Sequence, residues 1–182
     1  YKPFCDDCRA CVPTRIPVYR FKTNRKQNRC LTKNARTTAT IRPAEFDARH
    51  FDLYRRYQAA RHDNESTTPI SKEDYIAFLS SHWCNTWFVE FSTQGELMAI
   101  AVVDQLENAL SAVYTFFEPA FADYSPGVYA VLWQIERAKQ LHMAYVYLGF
   151  WIEDCRKMRY KIEYQPLEGL IGDQWRTLPE PT

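Results

Sequence analysis

Three apolar segments separated by short links constrain the fold of this chain more than any other feature. They cover residues 86–92, 97–104 and 110–117. The links between them are TQGE at 93–96 and QLEN at 105–108, and both have the composition and length of turns. Consecutive strands joined by such short links run antiparallel, so these segments predict a three-stranded meander.

A helical segment and a further strand follow the meander. Residues 129–142 carry apolar side chains at helical spacing, and the apolar run 145–152 comes next. A strand, helix, strand succession predicts a right-handed parallel crossover. We predict one more strand near residues 160–164. The fold class is therefore α+β, and a meander followed by one parallel crossover is the core order of GNAT-like acyltransferases. The helical side chains expected to face inward are Val131, Leu132, Ile135 and Ala138.

Two helices are predicted before the meander. The first begins at Pro43 and ends near residues 63–64, and the second opens at the capping box SKED of residues 71–74. The side chains expected to face inward are Phe46, His50, Leu53, Tyr54 and Tyr57 in the first helix, and Tyr75, Phe78 and Leu79 in the second.

The charge of the chain is unevenly distributed. Residues 1–42 carry eleven Lys or Arg and two Asp, a net charge of +9, whereas the whole chain of 182 residues has a net charge of only +1. We therefore divide the chain into a basic, Cys-rich segment, residues 1–42, packed on a GNAT-like domain, residues 43–182. We expect irregular or short-strand structure in the segment. Its charge favours contact with a polyanion, because each cation placed on a phosphate releases counterions; a solvated surface strip is the alternative.

Composition excludes several classes of protein. A hydrophobic fraction of 46% is enough for one buried core, and no apolar run reaches the ~20 residues that span a bilayer. The six cysteines include a Cys-x-x-Cys-x-x-Cys run, whose spacing is unusual for secreted disulfide frameworks. We therefore expect a cytoplasmic protein without a membrane partner. Because the chain opens directly into this run, we also expect further sequence upstream.

Five blocks in order resemble the bacterial-type aminoacyl-tRNA–protein transferases. They are YKPFCDDCRACVPTR at 1–15, RKQNR at 25–29, LSAVYTFF at 110–117, YAVLWQIE at 129–136, and YLGFWI at 147–152 running on to KMRYK at 157–161. The resemblance spans nearly the whole chain, and it is closer to the aspartate/glutamate leucyltransferases than to the arginyl-tRNA–protein transferases. It departs from the family at Pro126-Gly127.

The resemblance implies a function and two partners. The family transfers an amino acid from aminoacyl-tRNA to the N-terminal α-amine of proteins that begin with Asp or Glu, which marks them for degradation by the N-degron pathway. For this chain the donor amino acid is expected to be leucine, with arginine as the alternative. The chemistry requires no cofactor, because the aminoacyl ester is already activated and an α-amine with a pKa of about 7.7–8.0 is partly neutral in cells.

The acceptor's carboxylate needs a cation, and three residues are candidates. Arg15 is the first choice because a guanidinium binds a carboxylate through two hydrogen bonds. Lys157 and Lys161 are the alternatives, and a surface ion pair or a tRNA contact would equally explain Arg15. For contact with tRNA we choose five basic residues of the N-terminal segment: Arg20, Lys22, Arg25, Lys26 and Arg29.

Aromatic residues of the crossover strands could line a cleft that binds the 3′ end of tRNA, although core packing is the commoner role of such residues. Tyr147 could also donate a hydrogen bond to the oxyanion of the tetrahedral intermediate. Glu136 could orient the acceptor amine, although a surface carboxylate is the simpler interpretation. We assign no chemistry to the four histidines. The predicted cleft-lining residues are Tyr114, Phe116, Tyr147, Trp151, Trp133 and Gly149, the last as a bulge or close backbone approach.

The clustered cysteines Cys5, Cys8 and Cys11 could bind zinc or an iron–sulfur cluster, the latter known among eukaryotic relatives of the family. A fourth ligand would come from Cys30 or from an upstream cysteine. Reduced thiols that only pack are the alternative.

Two other functions compete with these interpretations. An acetyl-CoA-dependent acetyltransferase would need a glycine-rich turn before the crossover helix, and residues 121–127 hold one Gly and no basic residue. A metal-stapled nucleic-acid-binding module would explain the cysteines and the basic segment, but not the aromatic strands or the crossover helix.

Overall fold

The computed structural model describes residues 10–61, 70–81 and 83–179. Its helices are α1 (Arg25–Lys33), α2 (Ala48–Arg61), α3 (Lys72–Leu79) and α4 (Pro126–Gln140), and two 3₁₀ helices cover Pro119–Tyr124 and Arg159–Glu163. Its strands are β1 (Val12–Pro17), β2 (Thr38–Pro43), β3 (Asn85–Thr93), β4 (Glu96–Gln105), β5 (Ala109–Phe117), β6 (Tyr145–Trp151), β7 (Glu168–Ile171) and β8 (Gln174–Thr177).

The eight strands form one mixed sheet in the order β2-β3-β4-β5-β6-β1-β7-β8. The predicted meander is confirmed, because β3, β4 and β5 pair antiparallel in sequence. The centre of the sheet is buried on both faces: Val89 packs in one apolar cluster and its neighbour Phe88 in the other. Strands covered on both faces are expected to be apolar at consecutive positions, as β3 and β4 are.

Helix α4 connects β5 to β6 and packs on one face of the sheet. It begins at Pro126, whose fixed φ suits the first helical position, and it buries the four side chains predicted to face inward, Val131, Leu132, Ile135 and Ala138. Strands β5 and β6 are parallel, as predicted. Helices α2 and α3 contribute Leu53 and Tyr75 to the apolar cluster that also holds Phe88.

The N-terminal segment contributes strands to the same sheet. Strand β1 lies between β6 and β7 and pairs antiparallel with both, while β2 pairs with β3 at the opposite edge. The proposed division at residue 42 stays a prediction. Helix α1 was not expected in this segment, and a capping box between Asn24 and Gln27 begins it.

Three local predictions are wrong. Residues 160–164 do not form a strand, because backbone hydrogen bonds three residues apart, such as that from Tyr164 N–H to the carbonyl of Lys161, form the 3₁₀ helix Arg159–Glu163. The rings of Tyr160 and Tyr164 lie 6.5 Å apart. Helix α2 begins at Ala48 rather than Pro43, which leaves Phe46 in the preceding loop and 40% exposed. Phe78 of α3 is 54% exposed, whereas Tyr75 and Leu79 are buried as expected.

Candidate functional site at the junction of β5 and β6

The two parallel strands pair over a short distance and then separate. Within the described residues, parallel pairing joins Ala109, Leu110 and Ser111 of β5 to Tyr145, Val146 and Tyr147 of β6. Beyond these positions β5 continues along β4, and β6 continues along β1. We refer to residues 112–117 of β5 and 148–151 of β6, with the side chains beside them, as the β5–β6 junction. An extended substrate can approach strands at such a point without displacing backbone hydrogen bonds.

On the β6 side, Gly149 and Lys161 adjoin each other. Gly149 has a φ of +72°, in the left-handed region that favours glycine, and the pairing of β1 with β6 is irregular at this point. Thr14 donates to the carbonyl of Gly149 at 2.8 Å. The Lys161 ammonium donates to the carbonyl of the next residue, Phe150. The junction therefore presents a cation beside a position that has no side chain.

Burial changes the acid–base properties of Lys161. The residue is only 7% exposed. Burial lowers the pKa of its ammonium to about 8, and the neighbouring Cys155 opposes that shift. Lys161 therefore exchanges its proton close to the pH range in which an α-amine does.

On the β5 side, aromatic residues and an arginine approach the junction. Tyr57 of α2 packs against Phe117, with ring centroids 5.0 Å apart, and the Arg61 guanidinium lies over both rings at 5.6 and 5.7 Å. Burial raises the pKa of Tyr160, and the phenol of Tyr57 adds to the shift. This electrostatic influence links α2, which carries Tyr57, to the segment after β6, which carries Tyr160. The sequence predicts Tyr57 only as an inward-facing residue and predicts no function for it or for Arg61, although their i, i+4 spacing, which brings them together in a helix, can be seen in the sequence.

Arg15 is engaged by protein groups on the same sheet. Its Nε donates to Oε2 of Glu168 at 2.8 Å, and its guanidinium lies 3.7 Å from the ring centroid of Tyr145 and 4.1 Å from that of Trp175. Burial acts against its charge, but hydrogen bonds to Glu168 and Tyr147 outweigh burial, so the pKa of Arg15 is raised. The first-choice acceptor cation is therefore already paired with a carboxylate. Lys157, the third candidate, is exposed on a turn.

The structure does not bring the predicted cleft-lining residues around one cleft. Tyr114 and Phe116 pack in the cluster beneath α2 and α3, where Phe116 is fully buried. Trp133 and Trp151 pack with the cluster beneath α4. Trp151 was expected to share a face with Tyr147, but the irregular register near Gly149 breaks the alternation of side chains. Tyr147, 5.8 Å from Trp175 by ring centroids, and Gly149 are the two that pack in neither apolar cluster.

Glu136 lies elsewhere on α4. Its side chain is 63% exposed and pairs with Lys139 at 3.7 Å. It lines a surface groove of about 360 Å³ together with Phe21, Lys22 and Leu31. Ten residues of helix, or roughly 15 Å of rise, separate it from the start of α4. Its predicted role in catalysis stays a prediction, and the structure places it at this groove.

The basic segment exposes a row of cations along α1. Gln27 and Cys30 face inward, whereas Arg25, Lys26 and Arg29 are exposed on the other side of the helix. Lys22 is exposed just before this helix, and Arg20 is exposed beside Glu168 at 3.5 Å. All five predicted tRNA-binding residues are therefore accessible to solvent.

The cysteines divide into two groups. Cys5 and Cys8 lie outside the described residues, and Cys11 is half-buried. Cys30 is buried, with its thiol 3.7 Å from the carbonyl oxygen of Tyr124. Burial raises the pKa of Cys30, and the hydrogen bond from Asn34 opposes the shift. These surroundings favour a neutral thiol and do not suit a metal-bound thiolate. A metal at the cysteine run stays a prediction.

Another cluster of potential ligands was not expected from the sequence. His50 Nε2 lies 2.8 Å from Glu90 and 4.0 Å from Asp47. A hydrogen bond from Arg49 is the main reason that the pKa of Asp47 falls to about 2. Arg42 and Arg49 also contact Glu90, at 3.5 and 3.3 Å. Because guanidinium groups already meet both carboxylates, we interpret the cluster as a polar tie between α2 and β3.

Comparison with known sequences identifies the family. Residues 49–171 match the family described as "Arginine-tRNA-protein transferase, C terminus". The chain belongs to the arginine-tRNA-protein transferase family. Its relatives include the aspartate/glutamate leucyltransferase of Chromobacterium violaceum, 45% identical over 99% of this chain and 74% of the relative, and that of Pseudomonas entomophila, 49% identical over 98% and 76%. The resemblance seen in the five sequence blocks is thereby confirmed.

Solved structures support the fold of this transferase family member. The C-terminal domain of a putative lysylphosphatidylglycerol synthetase from Agrobacterium fabrum aligns with a TM-score of 0.56, at 9% identity, over 79% of this chain and 47% of that one. L-PGS from Bacillus licheniformis aligns with a TM-score of 0.54, at 12% identity, over 86% and 54%. The chain therefore spans about half the length of these structures, and at such low identity the likeness concerns the fold alone. In the described ranges, no helix has the length and apolarity needed to cross a membrane.

Proposed function

We propose that this chain is an aspartate/glutamate leucyltransferase, which transfers leucine from aminoacyl-tRNA to the N-terminal α-amine of proteins beginning with Asp or Glu and thereby directs them to N-degron degradation. The observation that carries the proposal is identity of 45–49% to proteins of that name over nearly the whole chain. A substrate that is charged tRNA also implies a cytoplasmic enzyme.

The reaction depends more on holding the two substrates in the correct relative position than on strong acids or bases. The neutral α-amine attacks the ester carbonyl carbon, the C–O bond to the ribose of tRNA breaks, and the ribose hydroxyl leaves with the proton that the amine gives up. Fixing the two reactants in one geometry can supply a large part of the rate. We place this step at the β5–β6 junction, in the GNAT-like arrangement in which substrates meet where parallel strands separate.

The residues around the junction support particular roles. Tyr147 lies at the last position of β6 that pairs with β5, and it is our candidate oxyanion donor. The tRNA would follow the exposed cations of α1 toward the junction, a path supported by the contact between Lys26 and Glu163, which joins α1 to the 3₁₀ helix that carries Lys161. Cys5, Cys8 and Cys11 would hold any zinc or iron–sulfur cluster, whose part would be structural.

A transfer assay tests the function directly. Purified protein is incubated with radiolabelled Leu-tRNA or Arg-tRNA and with peptides that begin with Asp, Glu, Lys or Ala. We expect label from Leu-tRNA on the Asp and Glu peptides. Label from Arg-tRNA alone would make the chain an arginyltransferase, and transfer with neither donor would overturn the proposal.

A further inference from the structure

Lys161 is a buried cation whose charge is not met by a carboxylate within residues 10–61, 70–81 and 83–179. Its hydrogen bond goes to a neutral carbonyl, that of Phe150, and among the described residues the titratable neighbour that acts on its pKa is Cys155. Arg15, on the same sheet, has Glu168 at 2.8 Å. Burial of a cation without a counter-ion costs free energy, so a site of this kind favours a ligand that supplies the negative charge.

Gly149 leaves an approach to this cation. Gly149 is exposed, and a Cβ added to it would lie 3.9 Å from Lys161 Nζ, in ordinary van der Waals contact. A side chain longer than a methyl at position 149 would therefore cover the ammonium. The glycine keeps open a direction from solvent toward a side chain that is itself only 7% exposed.

We propose that Lys161 binds the side-chain carboxylate of the acceptor's N-terminal Asp or Glu and is the residue that selects acidic acceptors. The inference rests on the proposed function and assigns the acceptor's carboxylate to a residue other than Arg15. A single ammonium on a flexible stem suits two carboxylates that differ by one methylene, because it binds as a point charge and imposes no fixed fork geometry. A neutral Gln or Asn offers no charge to offset the buried cation, so the same site disfavours both.

The protonation state of Lys161 is consistent with this role. With a pKa of about 8, it is mostly charged at neutral pH, and a bound carboxylate stabilises that charged form further. Its positive charge also favours the neutral form of a nearby α-amine, which is the form that attacks the ester.

The experiment compares acceptors in one assay with Leu-tRNA. Peptides beginning with Glu and Gln are each tested as leucine acceptors with the wild type, with Lys161→Met and with the control Arg156→Met, which removes an exposed cation from the same segment. We expect Lys161→Met to lower kcat/KM for the Glu peptide ten- to a hundredfold. The value of kcat/KM for the Gln peptide should change by less than about twofold, and the affinity for tRNA should stay unchanged. Arg156→Met should behave as the wild type, and Lys161→Arg should restore part of the preference for Glu. If Lys161→Met precipitates, Lys161→Gln is used in its place.

A pH profile separates this role from a purely structural one. The Glu-to-Gln ratio of the wild type should fall above about pH 8, as Lys161 loses its proton, and in the Cys155→Ala variant the fall should begin at a lower pH, because Cys155 raises the pKa of Lys161. If Lys161→Met lowers kcat/KM equally for both peptides, or if it keeps the preference for Glu, the inference is overturned while the transferase function stays in place. Absence of transfer by the wild type would instead overturn the proposed function.

Discussion

Arg15 and Glu168 form an ion pair that joins strands β1 and β7 across 153 residues of sequence. The two residues are register partners, and Nε of Arg15 lies 2.8 Å from Oε2 of Glu168. The same guanidinium lies between the rings of Tyr145 on β6 and Trp175 on β8. One side chain thus contacts the other three strands at this end of the sheet, which makes Arg15 a structural residue before any role in substrate binding.

We predict that Arg15→Gln destabilises the protein and leaves acceptor choice intact. The side chains of Arg15 and Glu168 are 14% and 13% exposed, so breaking their pair leaves a partly buried carboxylate without its cation. A charge-assisted hydrogen bond of this kind contributes about 1.5–3 kcal/mol. Denaturant unfolding measures the loss, with Glu168→Gln as the matched variant. A stable Arg15→Gln protein that no longer prefers Glu over Gln peptides would assign the acceptor carboxylate to Arg15 instead of Lys161.

We predict that the exposed face of α1 governs the affinity for tRNA. Replacing Arg25, Lys26 and Arg29 by Ala removes three exposed charges and should raise KM for Leu-tRNA, with little change in KM for the peptide. The slope of log K for tRNA binding against log salt concentration should become less negative by about two to three, because fewer counterions are released.

The control for this experiment removes three exposed charges from other parts of the surface, Arg55, Lys72 and Arg176. We expect the control to keep the salt dependence of the wild type. If the two triple variants behave alike, net charge rather than the α1 face determines binding.

The central part of the fold could be predicted because its apolar pattern is local. Helix α4 and strands β3 to β6 each carry their period within seven to fifteen residues, and short links fix the antiparallel order of the meander. Helix α1 was missed because its nine residues, RKQNRCLTK, include few apolar ones; only the Asn24–Gln27 capping box marks its start.

The site could be predicted only in part, because its contacts join distant segments. Tyr57 and Tyr160 are separated by the whole meander, and no spacing along the sequence relates them. The sequence could suggest Arg15 and Lys161 as alternative cations for a carboxylate. Only the positions of Glu168 and Gly149 distinguish them, since the first neutralises Arg15 and the second leaves Lys161 open to a ligand.

We predict that a metal, if the cysteine run holds one, does not depend on Cys30. Cys5→Ala and Cys8→Ala should lose stoichiometric zinc or iron together with thermal stability, because metal binding contributes to folding. Cys30→Ala should keep its metal, since its thiol faces the carbonyls of Tyr124 and Ser125. Elemental analysis and thermal melting of the three variants provide the measurement. Loss of metal in Cys30→Ala would make Cys30 the fourth ligand.

The last prediction concerns the effect of the buried Lys161 charge on the free energy of unfolding. Its pKa is about 8 in the folded chain and 10.5 for the unperturbed group, so between those values the unfolded chain binds more protons. Stability should therefore rise with pH in this window, and below about pH 8 the buried charge costs up to about 3 kcal/mol. Lys161→Met removes that cost and should unfold at higher guanidinium chloride concentration than the wild type at pH 7, with an advantage that shrinks toward about pH 10. The control Arg156→Met should keep the stability of the wild type at pH 7, because that side chain is exposed. A Lys161→Met variant less stable than the wild type at pH 7 would mean that the ammonium already has a favourable partner within the protein, and the case for an external carboxylate would fail with it.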